Sequence, residues 1–451
     1  MARIWIAPAL LALQSLAAIA QPPAQSLQDL KPSVEAQLPS LIETYKDFHR
    51  TPELSHHEEH TSAKLAEDLR KLGYTVTEHV GVYMDASKAW GIVAVMENGP
   101  GPRLLIRADM DALPVEEKTG VDYASTVHTK NPDGQTTGVM HACGHDIHMT
   151  VLLGTAKELV EHKKNWHGTV ILIGQPSEET IDGARAMLDD HLYERFGKPD
   201  YILAEHDASQ YAAGTIALKP GPLLASSTSI DVVMRGKGSH GAAPELSMDP
   251  VVMAAEFILD MQTIVSRQIS PQQPAVITVG QIHGGTKRNI IPDEVRMGIT
   301  MRAYDEPTRL KMIEAIRRTA NGVATGYGVP AERMPLVEVS QSEITPATLN
   351  DPAMADRLRQ VAIATLGGDN VALATPIMGS EDVGQFRLGN TIPGIMFWLG
   401  AADPGKLGAA QQSGVPLPGP HSALFAPVPD PTIRTGVTAM TAMAMDLLKS
   451  S

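Results

Sequence analysis

Residues 103–114 read RLLIRADMDALP, an apolar run that ends in acidic residues and a proline. Similar short β-rich runs lie at 91–96, 169–174 and 201–204, each separated from the next by a loop or by a helical stretch such as 150–161. This alternation is typical of an α/β sheet that is covered by helices. We therefore predict an α/β domain with helices on both faces of the sheet, and we expect its site in the loops after the carboxyl ends of the strands.

A second pattern begins at about residue 226. Its predicted elements follow the order βαββαβ, with strands at 230–235, 275–283, 294–303 and 335–340 and helices at 250–266 and 306–325. This is the order of a small split-βαβ, or ferredoxin-like, sandwich. We predict an inserted domain at residues 224–338, within a larger domain formed by residues 34–223 and 339–451.

The composition favours a globular protein that acts on a small molecule or a peptide. The chain has 451 residues, of which 43% are hydrophobic, and its 51 acidic and 37 basic side chains give a net charge of −14. Because it is acidic and has no long Lys/Arg run, we do not expect nucleic acid or an anionic membrane as its main partner. The single cysteine, Cys143, excludes an intramolecular disulfide and leaves packing, reactivity or metal binding as its role.

The first twenty residues have the pattern of an export signal. Arg3 supplies a positive charge, residues 4–19 are mostly apolar, and Ala18-Ile19-Ala20 form a small-x-small cleavage site. An uncleaved membrane anchor is the alternative, but the stretch is short and is interrupted by polar residues. We expect cleavage after Ala20 and a mature protein that is periplasmic or secreted and has no membrane segment.

Metal-binding and proton-binding side chains lie in four loops expected at the sheet edge. These loops contain residues 109–114 (DMDALP), 141–148 (HACGHDIH), 175–179 (QPSEE) and 205–207 (EHD). Cys143 and His145 are of the types that ligate zinc and similar metals, and of the adjacent Glu178 and Glu179 one can bind a metal while the other accepts a proton. Each motif alone has a common structural explanation, such as a buried cysteine beside a capping turn or glutamates at a solvated helix start. Their convergence at strand ends favours a metal site.

Six motifs in order carry a family resemblance. They are residues 107–114 (RADMDALP), 140–148 (MHACGHDIH), 175–179 (QPSEE), 236–243 (GKGSHGAA), 289–292 (NIIP) and 379–383 (GSEDV). Together they resemble the M20 metallopeptidase family, in particular its amidohydrolase subfamily of hippurate hydrolases, N-acyl amino acid amidohydrolases and auxin-conjugate hydrolases. The resemblance extends from about Tyr45 to Leu447.

The resemblance implies two divalent ions per subunit, either zinc or manganese. The implied ligands are Cys143, His145, Glu179, His206 and His421, with the Cys143 thiolate bridging the ions. Glu178 resembles the family's general base. Asp111 resembles the carboxylate that orients a metal-bound imidazole.

The resemblance also assigns roles to the inserted domain, which would act as a lid and as the interface of a homodimer. His240 is similar to the histidine that family dimers extend to the partner's site, where it polarises the scissile carbonyl. Asn289 and Arg302 resemble residues that hold the substrate's carboxylate, and Arg302 suits that task because guanidinium binds carboxylate in a bidentate manner.

Three positions depart from the pattern of the family or of its peptidase members. Glu205 stands where a small or apolar residue is common, which adds a negative charge near the metals, and Ala423 stands where a proline usually follows the His-Ser pair. Asp109 occupies a position where peptidase relatives have a histidine ligand, so we leave it out of the ligand set.

Other histidines receive no catalytic role. We expect His148 to be an ordinary helix residue. The histidine-rich patch of His49, His56, His57 and His60, with Glu58 and Glu59 beside it, is expected to be solvated surface.

The resulting hypothesis is metal-dependent hydrolysis of the amide bond of N-acyl or aryl-acyl amino acids. A carboxypeptidase or dipeptidase that acts on short peptides is the alternative within the same class. A metal- or ligand-binding protein without activity, and a cysteine hydrolase with Cys143 as nucleophile, are the alternatives from other classes.

Overall fold

The structure is a computed structural model that describes residues 30–130 and 134–449. The signal segment predicted at residues 1–20 lies outside these residues and stays a prediction. In the described part, none of the helices combines the length and apolar character needed to cross a membrane. The α-helices are Leu30–Arg50, Glu59–Lys71, His145–Glu161, Gly183–Asp189, Leu192–Phe196, Pro250–Thr263, Glu306–Gly326, Pro352–Leu366, Pro404–Ser413 and Pro429–Leu447.

An eight-stranded sheet forms the framework of the larger part of the molecule. Its strands in spatial order are Thr75–Val82, Lys88–Asn98, Gly168–Gln175, Arg103–Asp109, Tyr201–Ala212, Gly394–Ala402, Ile216–Leu218 and Val371–Leu373. The four strands from Gly168–Gln175 to Gly394–Ala402 are parallel. Their carboxyl ends therefore meet at one edge of the sheet, where an α/β protein builds its site.

Both faces of this sheet are covered by helices, as predicted. Along Arg103–Asp109, Leu104 and Ile106 pack into one apolar core and Leu105 into another. The first core includes side chains from helices Leu30–Arg50, Glu59–Lys71, His145–Glu161, Pro352–Leu366 and Pro429–Leu447. The second includes side chains from Gly183–Asp189 and Leu192–Phe196. Near-continuous apolar strands are what a sheet buried on both sides requires.

Aspartate followed by proline starts several helices. Asp249, Asp351 and Asp403 each accept hydrogen bonds from backbone N–H groups of the first helical turn, and a proline follows each of them. Such a carboxylate satisfies N–H groups that have no partner within the helix, and proline fits the first helical position because it lacks an N–H.

The inserted segment forms a four-stranded antiparallel sheet. Its strands in spatial order are Ala275–Gly284, Glu294–Ala303, Ser226–Arg235 and Leu336–Thr345. Helices Pro250–Thr263 and Glu306–Gly326 share one apolar core with this sheet. The result is the predicted βαββαβ sandwich, but its last strand runs past residue 338. The polar sequence of residues 340–345 hid this extension, and the domain limits stay a prediction.

Three short strand pairs complete the architecture. They are Gly221–Leu224 with Thr348–Asn350, Ser239–His240 with Ile290–Ile291, and His128–Lys130 with Thr136–Gly138. The first pair lies where the chain leaves the large sheet for the small one and returns.

Candidate metal centre and active site

The predicted ligands come together at the carboxyl edge of the parallel strands. The ligand atoms of Cys143, His145 and His206 lie within 4.8 Å of one another, and so do those of Cys143, Glu179 and His421. Cys143 Sγ is 3.5 Å from His206 Nε2, and His421 Nε2 is 3.3 Å from the Glu179 carboxylate. The thiol therefore belongs to both ligand sets.

The two inner histidines are oriented by backbone carbonyls. His145 donates its Nδ1–H to the carbonyl of Asp111 (2.7 Å), and His206 donates its Nδ1–H to the carbonyl of Asp207 (2.8 Å). These bonds fix the tautomer in which Nε2 carries a free lone pair. The imidazoles are thus prepared to bind cations through Nε2.

Two buried atoms of the ligand sets have no hydrogen-bond partner among the described residues. They are His145 Nε2 and Glu179 Oε1. Buried polar atoms of this kind are costly unless something binds them. Divalent cations would satisfy both atoms, and a set of thiolate, imidazole and carboxylate is the donor chemistry of zinc and related metals.

Asp111 holds the two glutamates through their backbone. Its carboxylate accepts hydrogen bonds from the N–H groups of Glu178 and Glu179 (3.0 Å each) and from the Ser55 hydroxyl (2.6 Å). Asp111 also approaches His145 Nδ1 at 3.5 Å. The aspartate therefore links the position of the glutamate pair to that of the first histidine ligand.

Electrostatics at the centre disfavour ionised acids. Burial raises the pKa of the Cys143 thiol well above its ordinary value, and the charges of Glu179 and Glu178 raise it further. Burial also raises the pKa of Glu178 well above its ordinary value, with the charge of Glu381 adding to the effect. For Glu179, burial raises the pKa to about 7 against the opposing charge of His145. Thiolate and carboxylate forms at this place need a compensating positive charge.

Gly144, between the first two ligands, has no room for a side chain. Its φ of +81° is in the left-handed region, and a Cβ built there would lie 2.2 Å from the Asp207 carboxylate. Only glycine combines this backbone with such close contact.

The carboxyl end of strand Arg103–Asp109 carries a buried ion network that sequence reasoning missed. Asp109 accepts hydrogen bonds from Arg107 Nη1 and His148 Nδ1 (2.6 Å each). Arg107 also binds Glu381 and Asp382, and its side chain is fully buried. Asp109, His145 and His148 have ligand atoms within 4.8 Å of one another. An arginine in the interior of an apolar strand was the available signal, because a buried guanidinium requires carboxylate partners.

Glu205 lies close enough to the Arg107–Asp109–His148 network for its charges to affect the Glu205 pKa. It is buried, and neither of its carboxylate oxygens has a hydrogen-bond partner among the described residues. Burial raises its pKa to about 7, although the charge of His148 opposes this change.

The residues predicted from the inserted segment lie apart from this cluster. His240 and Asn289 are exposed and adjacent, with the N–H of Gly241 donating to the Asn289 carbonyl (2.9 Å). Arg302 is half-buried, and its Nη1 donates to the Thr300 hydroxyl (2.7 Å). Within the described residues, no hydrogen bond or ion pair joins these three side chains to the metal ligands.

The expectation that the histidine-rich patch is solvated is wrong for two of its residues, His49 and Glu58. Both side chains are buried, with His49 Nδ1 2.6 Å from Asp146 and Nε2 3.1 Å from Glu117. Tertiary packing of the first helix against the start of helix His145–Glu161 buries the histidine, which local polarity did not reveal. His57 and His60 are exposed, as expected.

Glu178 is a buried carboxylate that belongs to neither set sharing Cys143, although its ligand atoms also lie within 4.8 Å of those of His145 and Glu179. A carboxylate beside such sets of candidate metal ligands is typical of metal-dependent hydrolases. The chain belongs to peptidase family M20, because residues 105–413 match the profile of peptidase family M20/M25/M40. It is therefore an enzyme of the hydrolase class.

Relatives of known name agree with this assignment. The chain is 36% identical to thermostable carboxypeptidase 2 of Saccharolobus solfataricus over 84% of its own length and 90% of the relative. It is 34% identical to hippurate hydrolase of Campylobacter jejuni over 77% and 87%. A solved dinuclear metal-binding M20 peptidase of Bacillus subtilis has a TM-score of 0.73 at 27% identity, over 92% of this chain and 99% of that one.

Proposed function

We propose that this M20 enzyme hydrolyses the amide bond of N-acyl or aryl-acyl amino acids and releases a carboxylic acid and a free amino acid. The observation that carries the proposal is the pair of ligand sets that share Cys143, with the buried Glu178 outside both. Similarity to a hippurate hydrolase supports an aryl-acyl amino acid as substrate.

Two divalent ions would be held by the five ligands, one by Cys143, His145 and His206 and the other by Cys143, Glu179 and His421. When bound, they would supply Lewis acidity and lower the pKa of water toward about 7. Zinc suits the thiolate and manganese the carboxylates, so both metals are candidates.

The chain's own residues would perform the proton transfers. Glu178 would take a proton from the attacking water and return it to the leaving amine, as a general base and then a general acid. The two hydrogen bonds from the Glu178 and Glu179 amides to Asp111 hold the base in place.

Substrate recognition would involve the inserted segment. We propose that two copies of the chain associate through it, and that His240 of each copy serves the site of the other. Asn289 and Arg302 would bind the substrate's free carboxylate. This arrangement accounts for the separation of these three side chains from the metal ligands of their own chain.

A carboxypeptidase or dipeptidase activity on short peptides is the second candidate. Similarity to a thermostable carboxypeptidase at 36% identity favours it. The reaction would use the same ligands and the same general base, so only the substrate's acyl side distinguishes the two functions.

The test is the hydrolysis rate of hippurate, other N-acyl amino acids and dipeptides with a free amino terminus. Each rate is measured with the protein as purified, after chelation, and after manganese or zinc is restored. We expect activity that chelation removes and metal restores, with N-acyl amino acids preferred. Preference for dipeptides would reverse the order of the two candidates, and no hydrolysis in any metal state would refute both.

A further inference from the structure

Glu58 lies outside the six family motifs, yet its side chain is fully buried. It contacts Ser177, the residue that precedes the pair Glu178 and Glu179. One carboxylate oxygen, Oε1, accepts three hydrogen bonds: from the N–H of Ser177 (2.8 Å), from the Ser177 hydroxyl (3.1 Å) and from the N–H of His56 (3.1 Å). Two of these three bonds come from one residue. The buried carboxylate is therefore directed at Ser177.

Ser177 has a backbone conformation that its neighbours must maintain. Its φ of +53° is in the left-handed region, which residues with a Cβ rarely adopt. Besides Glu58, the Tyr83 hydroxyl lies 2.5 Å from Ser177 Oγ, and the N–H of Gly183 donates to the Ser177 carbonyl (3.1 Å). A strained residue held by several partners is typical of a functional turn.

The strained residue directly precedes Glu178 and Glu179. The N–H groups of these two glutamates bind the Asp111 carboxylate. The turn is thus fixed on one side by Asp111 and on the other by Glu58, each a buried carboxylate that accepts backbone N–H groups. Of the two, only Asp111 lies in one of the six motifs quoted above.

We propose that Glu58 is a positioning residue, which holds Ser177 in its left-handed conformation and thereby directs the Glu178 and Glu179 side chains into the metal centre. It does not touch substrate or metal and acts through Ser177. The role in turnover rests on the proposed function, whereas the role in shaping the metal centre does not.

The kinetic test compares Glu58→Ala with Glu58→Gln. Alanine removes the acceptor, so we expect kcat on hippurate to fall about 10- to 100-fold with KM changed far less, as for other residues that support metal ligands. Glutamine keeps an acceptor oxygen and should restore most of kcat.

A matched control is available in Glu158→Ala. Glu158 is also a fully buried glutamate that accepts side-chain hydrogen bonds, but it lies near the far end of helix His145–Glu161 from His145. Its loss should lower the melting temperature without changing kcat. If Glu58→Ala fails to fold, Tyr83→Phe removes one hydroxyl partner of Ser177 and should lower kcat in the same direction.

A second readout needs no substrate. Cobalt(II) bound to the protein has visible absorption bands that report on the geometry of its ligands, including Glu179. We expect these bands to shift in Glu58→Ala, or in Tyr83→Phe, and to stay unchanged in Glu58→Gln and Glu158→Ala. If the cobalt bands shifted in Glu58→Ala but the wild-type protein hydrolysed no amide, the proposed function would be wrong and the positioning role of Glu58 would be supported. Unchanged bands and unchanged kcat in folded Glu58→Ala would overturn the positioning role.

Discussion

Single residues at the metal centre take their roles from the atoms around them. His145 and His206 present Nε2 to the candidate metal centre because backbone carbonyls occupy Nδ1. Glu178 belongs to neither candidate ligand set that shares Cys143, although it is adjacent to Glu179, which belongs to one of them. Thiol, imidazole and carboxylate side chains at strand ends could be recognised from sequence as candidate ligands, since these groups have specific chemistry, and the family resemblance implied the full set. The carbonyl partners could not, because every residue has a carbonyl and only the fold selects which one is near.

Glu178→Gln tests the division of labour between the paired glutamates. The amide is close in shape but cannot accept a proton, so we expect kcat to fall about 10²- to 10⁴-fold. Metal content, measured by elemental analysis, should be unchanged because Glu178 is absent from both sets that share Cys143. Loss of metal together with activity would show that Glu178 is a ligand instead of the base.

Gly144→Ala tests the close contact with Asp207. The left-handed backbone alone should cost about 1 kcal/mol or more of the free energy of unfolding, and the contact should add to it. Gly99→Ala is the control, because Gly99 has a similar φ of +80° and nothing lies within 4 Å of an added Cβ. If urea unfolding showed the same decrease in the free energy of unfolding for both variants, the contact with Asp207 would have no effect on stability.

Secondary-structure elements near the candidate metal centre are linked by buried polar contacts between residues that are far apart in sequence. Helix Leu30–Arg50 reaches the start of helix His145–Glu161 through His49 and Asp146, and strand Arg103–Asp109 is tied through Arg107 to Glu381 and Asp382. The order of strands and helices was predictable from apolar periodicity. These cross-links were not, because a polar residue on a helix has the same local pattern whether a partner buries it or water surrounds it.

The His49 link predicts a pH-dependent contribution to stability. Burial alone would lower the pKa of His49, but hydrogen bonds to Asp146 and Glu117 raise it from 6.5 to about 9. The folded protein therefore holds this proton more tightly than the unfolded chain, so the contribution is complete below about pH 6.5 and is lost as the pH rises through about 9.

The measurement compares the free energies of unfolding of the wild type and His49→Gln between pH 6 and pH 10. The difference should be largest near pH 6, up to about 3 kcal/mol, and should shrink toward pH 10. The exposed His60→Gln is the control and should show little difference at any pH. A difference for His49→Gln that grows with pH would contradict the assignment.

The whole molecule combines a helix-covered sheet that carries the ligands with a small sandwich that carries the proposed recognition residues. The two are joined where Gly221–Leu224 pairs with Thr348–Asn350. The βαββαβ order was evident in the sequence, and so was the family, from six motifs. The end of the last strand at Thr345 could not be predicted from the sequence, because the final residues of this strand are polar and partly exposed.

The proposed dimer makes a prediction at this scale. The mass in solution should be that of two chains, and His240→Ala should lower kcat without altering metal content or the dimer. Mixing His240→Ala with Glu178→Gln should restore activity, because mixed dimers contain one site with both intact residues. A monomer with full activity would contradict the proposed role of His240.

The proposed function depends on two metal sites that share Cys143. Anomalous diffraction from crystals of the metal-loaded protein, recorded at the absorption edge of the bound metal, would locate these sites. We expect two peaks next to Cys143 Sγ, one near His145 and His206 and the other near Glu179 and His421. A single peak, or peaks that leave the Cys143 thiol without a metal neighbour, would contradict this expectation.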